Sequence, residues 1–135
     1  MKVSMIKIYE LDDKIADSII KLNQKGFEPA MSCSGHPDEK EITPYVMFTR
    51  FASYGIEYIP FGWVVDENFE ELVIRRFFTE EEEKIFTKEQ LVDIAAKELD
   101  NWVDSLPEFK NPYQEVINIS LEDVDAVEWC LYRVK

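Results

Sequence analysis

Leu11 to Met31 reads LDDKIADSIIKLNQKGFEPAM, and the fold turns on how this stretch is divided. Leu11, Ile15, Ile19 and Leu22 recur at spacings of four, four and three, which sets them on one face of an α-helix turned toward a core. Asp12 or Asp13 stands where a side-chain oxygen would accept the free amides of the helix start. Gly26 can take the positive φ that ends a helix after Lys25, and Phe27 opens an extended segment through Met31. Upstream, Met5, Ile6, Ile8 and Tyr9 form a short apolar run with β-branched members, which predicts a strand over Val3 to Tyr9. The chain therefore opens β-α-β.

Farther along the chain, Tyr45 to Thr49 predicts a strand that starts behind Pro44. Phe61 to Val65 and Leu72 to Phe78 predict two more, with Asp66-Glu67-Asn68 as the turn between them, while Phe51 to Pro60 follows no clear period. Thr87 and Gln90 form a capping box, and Phe86 and Leu91 are spaced as a hydrophobic staple. The helix they begin carries Leu91, Ala95, Leu99, Trp102 and Leu106 on one face and stops at Pro107. Glu108 to Tyr113 is a connection, Val116 to Ile119 a strand, Ser120 to Asp123 a helical turn, and Val127 to Val134 a closing strand. Leu121, Val124, Val127 and Leu131 also suit a helix. With no internal repeat or linker, the expectation is a single α+β domain over residues 1–135, with a mixed or antiparallel sheet of five to six strands and two main helices.

A chain of 135 residues buries roughly two thirds of its unfolded surface without needing a staple. Its 28 acidic and 15 basic side chains leave a net charge of -13, which argues against duplex DNA and anionic membranes as partners. Such charge keeps a protein in solution, or it presents an acidic face that imitates nucleic acid and fills a basic groove on a host protein. The longest acidic run, Glu80 to Glu83, is expected at a turn. Two cysteines, Cys33 and Cys130, make no disulfide framework, and no charged-then-apolar leader opens the chain, so the expected address is the cytoplasm. No apolar run approaches the ~18 residues of a membrane span.

Chemistry concentrates in Ser32-Cys33-Ser34-Gly35-His36-Pro37, which gathers two hydroxyls, a thiol, a glycine and the only histidine. A glycine lets successive amides turn into a concavity, and such a nest beside hydroxyls binds phosphate or carboxylate oxygens. The bland alternative is a turn whose serines satisfy backbone groups around a small buried cysteine. A Cys33–His36 nucleophile pair would need a third group to orient the ring, and a metal site at Cys33, His36, Asp38 and Glu39 would lack the paired-cysteine spacing of structural zinc. Arg75, Arg76 and Arg50 are candidate anion partners through their bidentate guanidinium forks, or they are ion-paired to nearby carboxylates. Tyr45 belongs to an aromatic-rich middle third, together with Phe48, Tyr54, Tyr58, Phe61 and Trp63, from which one ring could stack on a flat ligand. Walker, G-x-G-x-x-G, H-E-x-x-H and G-x-S-x-G patterns are absent, so no cofactor is expected and no catalytic residue is assigned.

Leu22-Asn23-Gln24-Lys25-Gly26, Ser32 to His36, Pro44-Tyr45-Val46-Met47-Phe48 and Ile74-Arg75-Arg76 together resemble a group of small proteins of Gram-positive bacteria and their phages. Ser32-Cys33-Ser34-Gly35 after a strand-helix-strand opening also resembles the Ser-Cys-Ser-Gly stretch of the wybutosine-synthesising methyltransferases, which implies S-adenosylmethionine and a tRNA substrate. Those enzymes continue with arginine where this chain has His36, and its acidity opposes a grip on tRNA. The leading expectation is thus a phage-related binder of a small anionic, nucleotide-like ligand at the Ser32 to His36 loop, one that sequesters a host defence signal. An acidic protein inhibitor such as an anti-CRISPR and an RNA-modifying enzyme are the alternatives.

Overall fold

The computed structural model describes residues 2–10, 12–110 and 128–134, the first and last of these as backbone. In chain order the elements are β1 (Lys2–Glu10), α1 (Ala16–Gln24), β2 (Pro29–Cys33), β3 (Tyr45–Phe48), α2 (Arg50–Ser53), β4 (Trp63–Val65), β5 (Val73–Arg76), α3 (Glu80–Ile85), α4 (Lys88–Ser105) and β6 (Glu128–Val134). The chain is α+β and opens β-α-β as expected, but its strands divide between two antiparallel sheets. One is β2-β3-β5-β4; the other pairs β1 with β6, from Lys2 opposite Val134 to Glu10 opposite Glu128. Periodicity identifies a strand without naming its partner, which is why a single larger sheet was the natural expectation. The strand expected at 116–119 and the helical turn at 120–123 lie outside the described residues. Among the described residues, no helix is long and apolar enough to cross a membrane.

Strand β3 alternates half-buried and buried side chains, and its inward pair Val46 and Phe48 shares a core with Ile74 of β5, Trp63 of β4, Ile19 and Leu22 of α1, and Leu99 and Trp102 of α4. The Phe48 ring meets Trp102 edge-on at 6.2 Å, and the Trp102 indole donates to the Tyr58 carbonyl at 2.8 Å. Helix α1 ends as the sequence predicts, in a Schellman turn: Phe27 N–H donates to the Leu22 carbonyl and Gly26 N–H to that of Asn23, with Gly26 at φ +97°. A Cβ at Gly26 would stand 2.0 Å from the Phe109 carbonyl oxygen, so glycine is required there twice over. Lys25 then reaches the end of α4, where its ammonium donates to the carbonyls of Val103 and Leu106 at the negative end of that helix.

Two local expectations are corrected. Glu80 to Glu83 is no turn but the first part of α3, because Thr79 and Glu82 form a capping box and four carboxylates sit at the positive end of the helix dipole. The start of α1 has no side-chain cap, since neither Asp12 nor Asp13 supplies one. Asp12 spends its carboxylate elsewhere.

Candidate functional site

Two segments distant in sequence meet at the end of β2. Asp12 comes from the link between β1 and α1, Cys33 closes β2, and His36 follows a bend made by Ser34 and Gly35. Asp12 Oδ2 accepts the Ser34 backbone N–H at 2.8 Å and the Ser34 hydroxyl at 3.2 Å, which ties the bend to the start of the helical layer. Gly35 takes φ +80°, and a Cβ there would lie 2.8 Å from Ile42 Cγ2 and 3.3 Å from Pro44 Cγ. Only glycine lets the bend rest on that support without displacing it. Ile42 packs in turn with Leu91 and Val92 of α4, so the bend sits on a small apolar base. The Lys88 ammonium donates to the Glu39 carbonyl, and Glu39 N–H to the His36 carbonyl, which fastens the far side of the loop to the start of α4.

On this frame the donor atoms converge. His36 Nε2 lies 3.6 Å from Cys33 Sγ and 3.7 Å from Asp12 Oδ2, and all three atoms fall within 4.8 Å of one another. The histidine side chain is 45% exposed, whereas Cys33 is half-buried and Ser34 buried. Burial pushes the Cys33 thiol above its ordinary range, and the nearby carboxylates of Asp12 and Glu39 push the same way against a Gly35 amide that donates to the sulfur. The resting group is a thiol.

That geometry does not suit a nucleophile relay. A cysteine, histidine and acid in series need sulfur at one ring nitrogen and the acid at the other. Here a single nitrogen faces both, and the thiolate is disfavoured.

Beside the bend lies a surface hollow of about 320 Å³, bounded by Asp12, Asp13, His36, Glu89 and Val92, with Lys14 on its rim. Lys14 is ion-paired to Asp93 at 2.7 Å, so the charge on the wall is predominantly negative. Comparison of the chain with known protein families, with curated proteins and with solved structures finds no match. The chemistry must be read from the residues themselves.

Of the residues singled out in the sequence, Cys33, Ser34, Gly35 and His36 form the site, and Ser32 stands in β2 opposite Val46. Tyr45 is the cross-strand neighbour of Cys33; burial, and repulsion from the cysteine sulfur once ionised, raise its hydroxyl above the ordinary range. The three arginines do not converge on the bend. Arg75 bonds Asp66 at 2.9 Å and the Thr43 carbonyl at 3.3 Å, and its guanidinium lies 4.8 Å over the Tyr45 ring. Arg76 is buried between Glu98 and Glu82, each 2.9 Å away. Arg50 is exposed on α2, bonded to the Tyr54 hydroxyl, beside Glu70 and Glu71. Asp38 and Glu39, weighed with Cys33 and His36 as metal ligands, lie outside the convergent group. Their place is taken by Asp12, which the sequence suggested only as a helix cap; no local pattern announces a partner 22 residues along the chain.

Proposed function

We propose that this chain is a binding protein whose ligand sits in the hollow beside the Ser34 to His36 bend and presents an electropositive group to Asp12. The observation that carries this reading is the Ser34 amide and hydroxyl already given to Asp12 Oδ2, in a hollow that Asp13 and Glu89 also line. An anion entering there would have to displace a carboxylate from the donors it needs and face two more. The arginines that would have compensated it are held by Asp66, Glu82 and Glu98. A cation meets the opposite balance. This favours a cationic ligand over the nucleotide-like anion that the glycine-bearing loop suggests by itself.

The test is a thermal-shift panel on the full chain with inorganic and organic cations on one side and phosphate and nucleotides on the other. At least one cation is expected to raise the melting temperature by about 10 °C at a hundredfold excess over its Kd, the equivalent of about 2.7 kcal/mol. Asp12→Asn and His36→Ala are expected to remove the shift. Stabilisation by phosphate or a nucleotide that survives Asp12→Asn, or no stabilisation by any member of the panel, would overturn the reading.

A further inference from the structure

The geometry points to a divalent transition-metal ion of the zinc type as the ligand, held by Asp12 Oδ2, Cys33 Sγ and His36 Nε2. This rests on the binding reading above and names its occupant. Around a tetrahedral zinc ion, with Zn–S near 2.3 Å and Zn–N and Zn–O near 2.0–2.2 Å, neighbouring donors stand about 3.4–3.6 Å apart. Sulfur and imidazole nitrogen are separated here by 3.6 Å, and nitrogen and carboxylate oxygen by 3.7 Å. The sulfur–nitrogen spacing also suits a sulfur hydrogen bond, but the nitrogen–oxygen spacing exceeds a good N–H···O bond by several tenths of an ångström, and all three atoms lie within 4.8 Å of one another. Three unlike donors from two parts of the chain, with these spacings and all turned to one point, match the ligands of a single shared ion.

Donor chemistry selects the ion. One thiolate, one imidazole and one carboxylate suit zinc and its neighbours in the first transition row, whereas calcium and magnesium prefer all-oxygen shells. Binding exchanges the Cys33 thiol proton for a metal–sulfur bond and releases the proton to solvent, so no oxidant or reductant is involved. The surroundings are already arranged as an outer shell. Ser34 N–H and Oγ–H hold the carboxylate, and the Gly35 amide donates to the sulfur at 3.4 Å. Three protein donors leave a coordination position, and Asp12 and His36 both line the hollow into which it would open. The site is therefore of the exchangeable kind, with room for water or a further donor, and unlike the closed four-cysteine kind.

Chelator-stripped full chain titrated with Co²⁺ provides the test. One equivalent is expected to produce a thiolate-to-cobalt charge-transfer absorption in the near ultraviolet and the intense visible bands of a four-coordinate ion, both abolished by added Zn²⁺. Cys33→Ser should remove the charge-transfer band. Asp12→Asn and His36→Ala should each weaken binding beyond the roughly 10–100-fold that loss of an outer-shell partner costs. Asp38→Asn, outside the ligand set, should bind like the parent, and far-ultraviolet circular dichroism of every variant shows whether the fold is retained. If Asp12→Asn fails to fold, Asp12→Glu decides in its place, with weakened binding expected because the longer carboxylate cannot keep both Ser34 bonds and the metal distance. A spectrum without the sulfur band, or loss of binding in Asp38→Asn, overturns the assignment. If neither Co²⁺ nor Zn²⁺ binds while an organic cation still stabilises the parent and not Asp12→Asn, the metal is refuted and the binding site stands. If nothing binds, both fall.

Discussion

Phe48→Ala is expected to destabilise the protein by about 3–5 kcal/mol, the range for truncating a fully enclosed aromatic side chain. Phe48 is completely buried, and its ring packs edge-on against Trp102, so removal empties space at the junction of the four-stranded sheet with α4. The neighbours cannot close over the gap, because Trp102 is itself fixed by the bond from its indole to the Tyr58 carbonyl. Urea unfolding followed by tryptophan fluorescence measures the loss. A change below about 1 kcal/mol would mean that this contact does not join helix to sheet as described.

Arg76→Gln is the second large effect, with an expected cost of about 3 kcal/mol and a fall in melting temperature of about 10 °C. Its guanidinium links β5, α3 and α4: Nη2 to Glu82, Nε to Glu98, Nη1 to the Phe77 carbonyl, over the Phe78 ring at 4.5 Å. The substitution leaves two carboxylates facing each other with no cation between them, and the penalty is the uncompensated charge more than the lost attraction. The same group makes stability acid-sensitive. Arg76, aided by the Thr79 amide, holds the Glu82 carboxyl down to about 2 from an ordinary 4.5. Because the folded value lies below the unfolded one, this contribution is complete above about pH 4.5 and is lost as pH falls from there toward 2. The parent should therefore lose more stability across that window than Arg76→Gln does, and equal slopes for the two proteins would contradict the assignment of the shift to this arginine.

What could be read from sequence follows the range of the forces involved. The start of α4 was legible because Thr87 and Gln90 satisfy each other's backbone within one turn, and its buried stripe because the period is local. The end of α1 was legible because Gly26 acts on its own neighbours. Failures began where a residue had two uses for one group. Asp12 reads as a helix cap, yet the end of β2 brings Ser34 within 2.8 Å, and the carboxylate goes there. Arg76 reads as an ion pair before an anion clamp in so acidic a chain, but its partners become known only with the arrival of α3 and α4 on the same side of β5. The pairing of β1 with β6 joins the two ends of the chain, a choice that no local pattern encodes. The cluster of thiol and imidazole was visible in the sequence, while the carboxylate that converges with them comes from elsewhere in the chain.

X-ray absorption at the zinc edge, on full chain loaded with one equivalent of Zn²⁺, tests most directly whether Asp12, Cys33 and His36 donate to a single point. A first shell with one sulfur near 2.3 Å and nitrogen and oxygen near 2.0–2.2 Å, with imidazole back-scattering, and with the sulfur lost in Cys33→Ser, is the expected result. An oxygen-only shell, or a sulfur that persists in Cys33→Ser, would contradict it.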